Sequence, residues 1–254
     1  MEGMEKRIIL QYDTITENHV PVILCHPQDA VKAPMVLLNH GTTGSAEGLL
    51  DMGVALARRG CFCVLIDAVW HGRRADSRLH TMLTTSLYKR YYLDMLLLMA
   101  EDMGKIIDYY TGNPAVDTAR VGMTGISQGG YVAYMTMTKD ARIKAAAPLV
   151  GSPDLEDRYG NSQEWEIIDE ETQKYVLSHS PLRHYEKMAG TALLIQNSAE
   201  DTVVPVGGVR RLDRKLRPLY DDKGNYQYIE YFGIGHEATP DMKKHAIDWL
   251  AEKL

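Results

Sequence analysis

The strongest constraint on this chain is a serine set between glycines where two periodicities meet. A short β-type run, Arg120 to Thr124, enters Gly125-Ile126-Ser127-Gln128-Gly129, and a helical pattern leaves it from Gly130 to Lys139. A serine on so sharp a strand-to-helix turn is forced into a strained backbone conformation that projects its hydroxyl away from the sheet. Only small residues tolerate the close backbone approach on either side. Gly-Ser-Gly clusters also occur in ordinary turns, so the rest of the chain must decide between the two readings.

The rest alternates strand and helix without an internal repeat. Arg7 to Tyr12 and Val20 to Cys25 read as a leading antiparallel pair. Continuous apolar runs at Met35 to Asn39, Cys61 to Asp67 and Ile143 to Val150 read as buried strands. Thr191 to Gln196 and Tyr226 to Phe232 complete eight strands with the run at 120–124. Helices are expected at Glu47 to Arg59, ended by Gly60, and at Leu87 to Tyr110, Val206 to Leu216 and Pro240 to Leu254. This alternation predicts one α/β domain over 1–254, a mostly parallel eight-stranded sheet with helices on both faces. Residues 151–187 break the rhythm. They are polar and acidic (Glu164, Glu166, Asp169, Glu170, Glu171) and too long for a plain connection. They are expected to form a small helical lid, or else an exposed crossover.

Size and charge exclude several classes. With 254 residues and 45% hydrophobic content, one sizeable core is affordable, and a net charge of −6 leaves no nucleic-acid footprint. No stretch nears the roughly 20 apolar residues of a membrane span, and the N-terminus shows no signal peptide, so a cytoplasmic protein with no membrane partner is expected. The three cysteines suit reduced thiols. Cys61-Phe62-Cys63 has no second pair to complete a metal site, and no metal or cofactor is expected. Association of identical copies is left open.

Strands in such a sheet deliver reactive residues at their carboxyl ends. Asn39-His40-Gly41-Thr42-Thr43-Gly44, Ser127, Glu200-Asp201 and Gly233-Ile234-Gly235-His236 each follow a strand. A serine hydroxyl needs a base within hydrogen-bond reach to become a nucleophile. His236 is the candidate base, and Asp201 the candidate group that orients it and stabilises the imidazolium. A tetrahedral oxyanion needs two preorganised donors. The backbone N–H groups of Gln128 and Thr42 are the candidates. His245 falls inside the last helix, and His179 and His184 in the expected lid. Asp221 and Asp222 belong to an Asp-Asp-Lys-Gly-Asn turn, and Glu200 remains a competitor of Asp201. His236-Glu237 does not extend to H-E-x-x-H, and Gly41 to Gly48 lacks the Gly-Lys-Ser/Thr ending of a phosphate loop.

These segments, with Asp67-Ala68-Val69-Trp70-His71-Gly72-Arg73-Arg74 and Ala199 to Pro205, resemble the α/β-hydrolase superfamily. More narrowly they are similar to small bacterial esterases related to the prolyl-oligopeptidase and dienelactone-hydrolase branches, from about residue 20 onward. The nucleophile position carries Ser127 where dienelactone hydrolases carry Cys, and no β-propeller is seen. The resemblance implies a serine carboxylesterase acting on a small-molecule ester. A peptidase or amidase on short substrates and a non-catalytic receptor with this fold are the alternatives. Trp70 and His71 are expected either to wall a substrate pocket or to sit on a solvated loop whose arginines pair with the acidic lid. Short, soluble esters are expected, because the lid shows no long apolar face.

Overall fold

Runs of consecutive apolar residues build the centre of the sheet. β1 (Ile8–Ile15), β2 (Val20–Pro27), β3 (Ala33–Asn39), β4 (Phe62–Ile66), β5 (Val116–Ile126), β6 (Ile143–Leu149), β7 (Ala192–Ser198) and β8 (Tyr226–Tyr231) lie in the order β1-β2-β4-β3-β5-β6-β7-β8. Every residue of β4 and β7 is buried, as strands covered on both faces require. From β4 to β8 all pairings are parallel. β1 pairs antiparallel with β2, as the sequence predicts, and β2 is also antiparallel to β4, so the sheet is mixed. This computed structural model describes residues 7–15, 19–85, 88–160, 169–221 and 223–254.

Alternation along the strands sends their side chains to two cores. Leu37, Val64, Met123 and Ile195 face one side. There they meet α3 (Tyr88–Tyr110), α4 (Gln128–Lys139) and a helix at Gly207–Leu216. Val36, Leu38, Leu65 and Leu194 face the other. That side is covered by α1 (Leu50–Arg58) and a C-terminal helix, Pro240–Lys253. The helix expected at 47–59 begins as a 3₁₀ turn, Ala46–Leu49, because the Ala46 N–H is held by the Asp67 carboxylate at 2.8 Å rather than by the chain itself. The predicted stop holds: Gly60 takes φ +99°, open to glycine at no steric cost.

The sequence predicts no helix between the strand ending at Asp67 and the helix starting at Leu87, but Ser77–Thr84 forms one, α2, capped by Asp76, which accepts from the Arg78 N–H at 2.8 Å. Only Met82 of that helix is buried, too little apolar signal for periodicity to reveal it. Within 151–187, α5 (Leu155–Gly160) and α6 (Glu170–Ser178) are followed by a 3₁₀ segment, Pro181–Met188. Glu164 and Glu166 lie outside the described residues. The helices at Gly207–Leu216 and Pro240–Lys253 are α7 and α8. Among the described residues, no helix is long and apolar enough to cross a membrane.

Candidate active site

Ser127 sits between β5 and α4 with φ 55° and ψ −111°, a strained conformation for a residue bearing a Cβ. Its neighbours make the turn unavoidable. A Cβ at Gly125 would fall 2.3 Å from the Gly129 carbonyl oxygen, and one at Gly129 would fall 2.2 Å from that of Asn39. Both obstacles are backbone and cannot rotate away. The turn is pinned by the Ser127 N–H donating to Leu149 O (2.8 Å) and by Gly130 N–H donating to Ser127 O (2.8 Å).

Two further loops bring their side chains to this hydroxyl. Ser127 Oγ lies 2.8 Å from His236 Nε2, and His236 Nδ1 lies 2.6 Å from Asp201 Oδ2. The carboxylate of Asp201 is an acceptor only, so Nδ1 carries the proton and Nε2 presents its lone pair to the serine. The other carboxylate oxygen of Asp201 accepts the N–H groups of Val203 (2.9 Å) and Val204 (2.8 Å), which fixes its rotation. Glu200, the competing acid, instead accepts the Gly233 N–H at 3.0 Å and so tethers the loop that carries His236. The Ser198 hydroxyl donates to Ile234 O in the same loop. Asp221 is exposed in its turn and Asp222 lies outside the described residues. His245, His179 and His184 bond locally, to Tyr231, Tyr175 and Ser178.

The loop after β3 closes the opposite wall. Ala68 N–H donates to His40 Nε2 at 2.9 Å, so the proton of His40 resides on Nδ1, which donates to Gly41 O at 2.7 Å. Gly44 N–H donates to the same carbonyl at 3.0 Å. In a trans peptide the N–H points away from the C=O, so anchoring Gly41 O orients the Thr42 N–H oppositely. Among the described residues, the amides of Thr42 and Gln128 make no backbone hydrogen bond, and Gln128 opens α4, where the first amides are unsatisfied by the helix. Burial pushes the pKa values of His40 and His71 down, which suits a neutral His40 that accepts at Nε2.

Beneath this loop Asp67, fully buried, accepts from Ala46 N–H, Arg73 N–H (3.1 Å) and Arg73 Nε (3.2 Å). Gly72 (φ +51°) passes so close that a Cβ there would fall 2.1 Å from Asp67 Oδ1. The Asp-x-x-x-His-Gly-x-Arg segment thus braces the loop bearing Thr42.

A cavity of about 410 Å³ opens over Ser127. Gly41, Thr42, Ser127 and His236 supply its polar surface, and Ile126, Val150, Val203 and Ala238 its aliphatic walls. Tyr92 of α3 adds a ring. Trp70 and His71 do not reach it. Trp70 is 3% exposed and packs edge-on against Tyr91, and His71 is 1% exposed with Nδ1 2.9 Å from Val69 O. Their loop folds inward because the Asp67 ion pair draws it down. Among the described residues the arginines pair with local acids: Arg73 with Asp67, Arg74 with Asp102, Arg78 with Asp76. No described residue of 151–187 lines the cavity. The sequence reading missed Tyr92, which lies inside the helix expected at 87–110, and Val150, taken only as the end of the strand expected at 143–150.

Residues 80–254 match the prolyl oligopeptidase family. The chain belongs to that family. Two relatives of this prolyl oligopeptidase family member are similar over most of its length. The "Putative esterase YitV" of Bacillus subtilis is 26% identical over 85% of this chain and 88% of its own. "Esterase YjfP" of Escherichia coli is 22% identical over 92% and 96%. The fold is shared with TT1662 from Thermus thermophilus, at TM-score 0.77 and 22% identity, covering 97% of this chain and 98% of that one. The family member therefore has the α/β-hydrolase fold and is an enzyme of the serine-hydrolase type.

Proposed function

We propose that the protein is a carboxylesterase that hydrolyses small, uncharged esters through an acyl-enzyme on Ser127. The observation that carries this reading is the continuous hydrogen-bonded line from Ser127 Oγ through His236 to Asp201. As Oγ attacks the ester carbonyl, its proton passes to His236 Nε2, and Asp201 stabilises the imidazolium. The oxyanion is held by the Thr42 and Gln128 amides. Collapse of the tetrahedral adduct breaks the C–O bond of the alcohol, which leaves with the proton from Nε2. Water then attacks the acyl-serine by the same route, releasing the acid and restoring the serine.

Ester rather than peptide is favoured by the cavity lining, which among the described residues contains no Asp, Glu, Lys or Arg. A peptidase acting near a chain terminus would need such a group to neutralise a terminal amine or carboxylate. Both curated relatives carry esterase names. The test is steady-state hydrolysis of p-nitrophenyl acetate and its anilide analogue, with Ser127→Ala as control. The ester should be turned over much the faster, and the variant should lose at least about 10⁴-fold in kcat. Near-parental turnover by Ser127→Ala would end the proposal. A serine that no fluorophosphonate labels would favour a non-catalytic receptor.

A further inference from the structure

We infer that the ring of Tyr92 sets the length of the acyl group that the enzyme accepts and restricts it to short chains. This rests on the ester-hydrolase reading above. Tyr92 differs from the rest of the apolar lining in size, and only Val150 among those residues is as deeply buried. Its companions are the aliphatic side chains Ile126, Val150, Val203 and Ala238, whereas Tyr92 is a full aromatic ring only 1% exposed. Val203, at 55% exposure, stands at the mouth. The cavity therefore runs from an open rim at Val203 to a closed inner end formed by Tyr92 and Val150.

The chemistry assigns the two ends. The alcohol must leave with the proton from His236 Nε2, so it occupies the side of His236 and its neighbours Ala238 and Val203. The acyl group stays on Ser127, and the inference seats it in the buried end of the cavity, against Tyr92. The ring cannot swing aside easily, because Tyr131, four residues beyond Ser127 on α4, backs it edge-to-face at a centroid distance of 6.0 Å and is itself buried. A well-packed buried aromatic of this kind is a wall, since interiors hold few voids into which it could move.

The test is the acyl-length profile, p-nitrophenyl acetate to octanoate, of the parent and of Tyr92→Ala and Tyr92→Leu. Each methylene given room is worth roughly fourfold in binding, and a methylene refused by a pocket about tenfold or more in kcat/KM. The parent should favour acetate to butyrate. The octanoate-to-acetate ratio of kcat/KM should rise at least about tenfold in Tyr92→Ala and by less in Tyr92→Leu. A second series, acetate esters of lengthening alcohols, should show no such shift. Fluorophosphonate labelling of Ser127 and a cooperative thermal melt accompany each variant. If Tyr92→Ala does not fold, Tyr92→Leu decides. A folded, labelled variant with an unchanged acyl ratio overturns the inference. So does a shift confined to the alcohol series, or a parent that prefers octanoate. A parent whose Ser127 resists the label overturns instead the esterase reading on which the inference stands.

Discussion

The hydroxyl of Thr42 donates a 2.9 Å hydrogen bond to the side-chain oxygen of Gln128, joining the loop after β3 to the first residue of α4, 86 residues on. These are the residues whose backbone amides are proposed to receive the oxyanion. Their side chains thus set the spacing of their main chains. Removing the link with Thr42→Val should lower kcat by about three- to tenfold, the worth of one hydrogen bond, with KM nearly unchanged. Steady-state kinetics on p-nitrophenyl acetate check this. A raised KM at constant kcat would mean that the bond serves ground-state binding instead.

Two glycine-to-alanine substitutions should act with opposite sign. At Gly129 the new methyl meets the Asn39 carbonyl oxygen at 2.2 Å, while at Gly48 it meets nothing within 4 Å. Gly129→Ala should destabilise by several kcal/mol, as overpacking against rigid backbone does, or fail to fold. Gly48→Ala should be neutral or stabilise by about 0.4–1 kcal/mol, by narrowing the unfolded ensemble. Thermal melts of the two variants give the comparison.

Stability should fall on the acid side of neutrality. Burial, the largest influence, lowers the pKa values of His40 and His71 in the folded state, against the opposing pull of Asp67 on both. The unfolded chain therefore binds protons at these histidines below about pH 6.5 that the folded chain refuses. Their contribution is complete above that pH and is lost as pH drops toward the folded values. His71→Asn keeps a donor for Val69 O and removes one such group, so its Tm should depend less steeply on pH between about 6.5 and 5 than the parent's. Equal slopes would contradict the assignment.

The thiols should be silent in the native protein. Cys25, Cys61 and Cys63 are buried. Burial pushes Cys25 and Cys61 up to about 11 and Cys63 further. At pH 8 almost no thiolate exists, and reagent has no path to it. A disulfide reagent such as DTNB should titrate none of the three thiols before denaturation and all three after it.

Legibility from sequence followed the locality of the signal. Strands buried on both faces announce themselves as unbroken apolar runs, so β3, β4 and β6 begin and end within a residue or two of expectation. The Gly-x-Ser-x-Gly turn was readable because its steric demands fall within five residues, and the structure places Ser127 Oγ beside His236 and His236 beside Asp201. What depends on tertiary placement was not readable. The 67–74 segment offers Trp70 and His71 beside arginines, which suggests a surface pocket, yet a single buried carboxylate, Asp67, turns the segment inward. Tyr92 is indistinguishable on a helical wheel from any core tyrosine. Only the position of α3 relative to Ser127 gives its ring a face on the cavity. The antiparallel seating of β2 against β4 likewise needs a return path that no local pattern encodes.

Among the described residues, every loop that contributes to the cavity or to the hydrogen-bonded line beneath it leaves a strand between β3 and β8, and the β1–β2 ribbon supplies none of them. That margin is hitched to the sheet through β4 alone. Descendants of this gene can therefore recolour or graft onto the outer strand, for instance at the 46% exposed Leu10 of β1, while the chemistry on the far side goes on undisturbed.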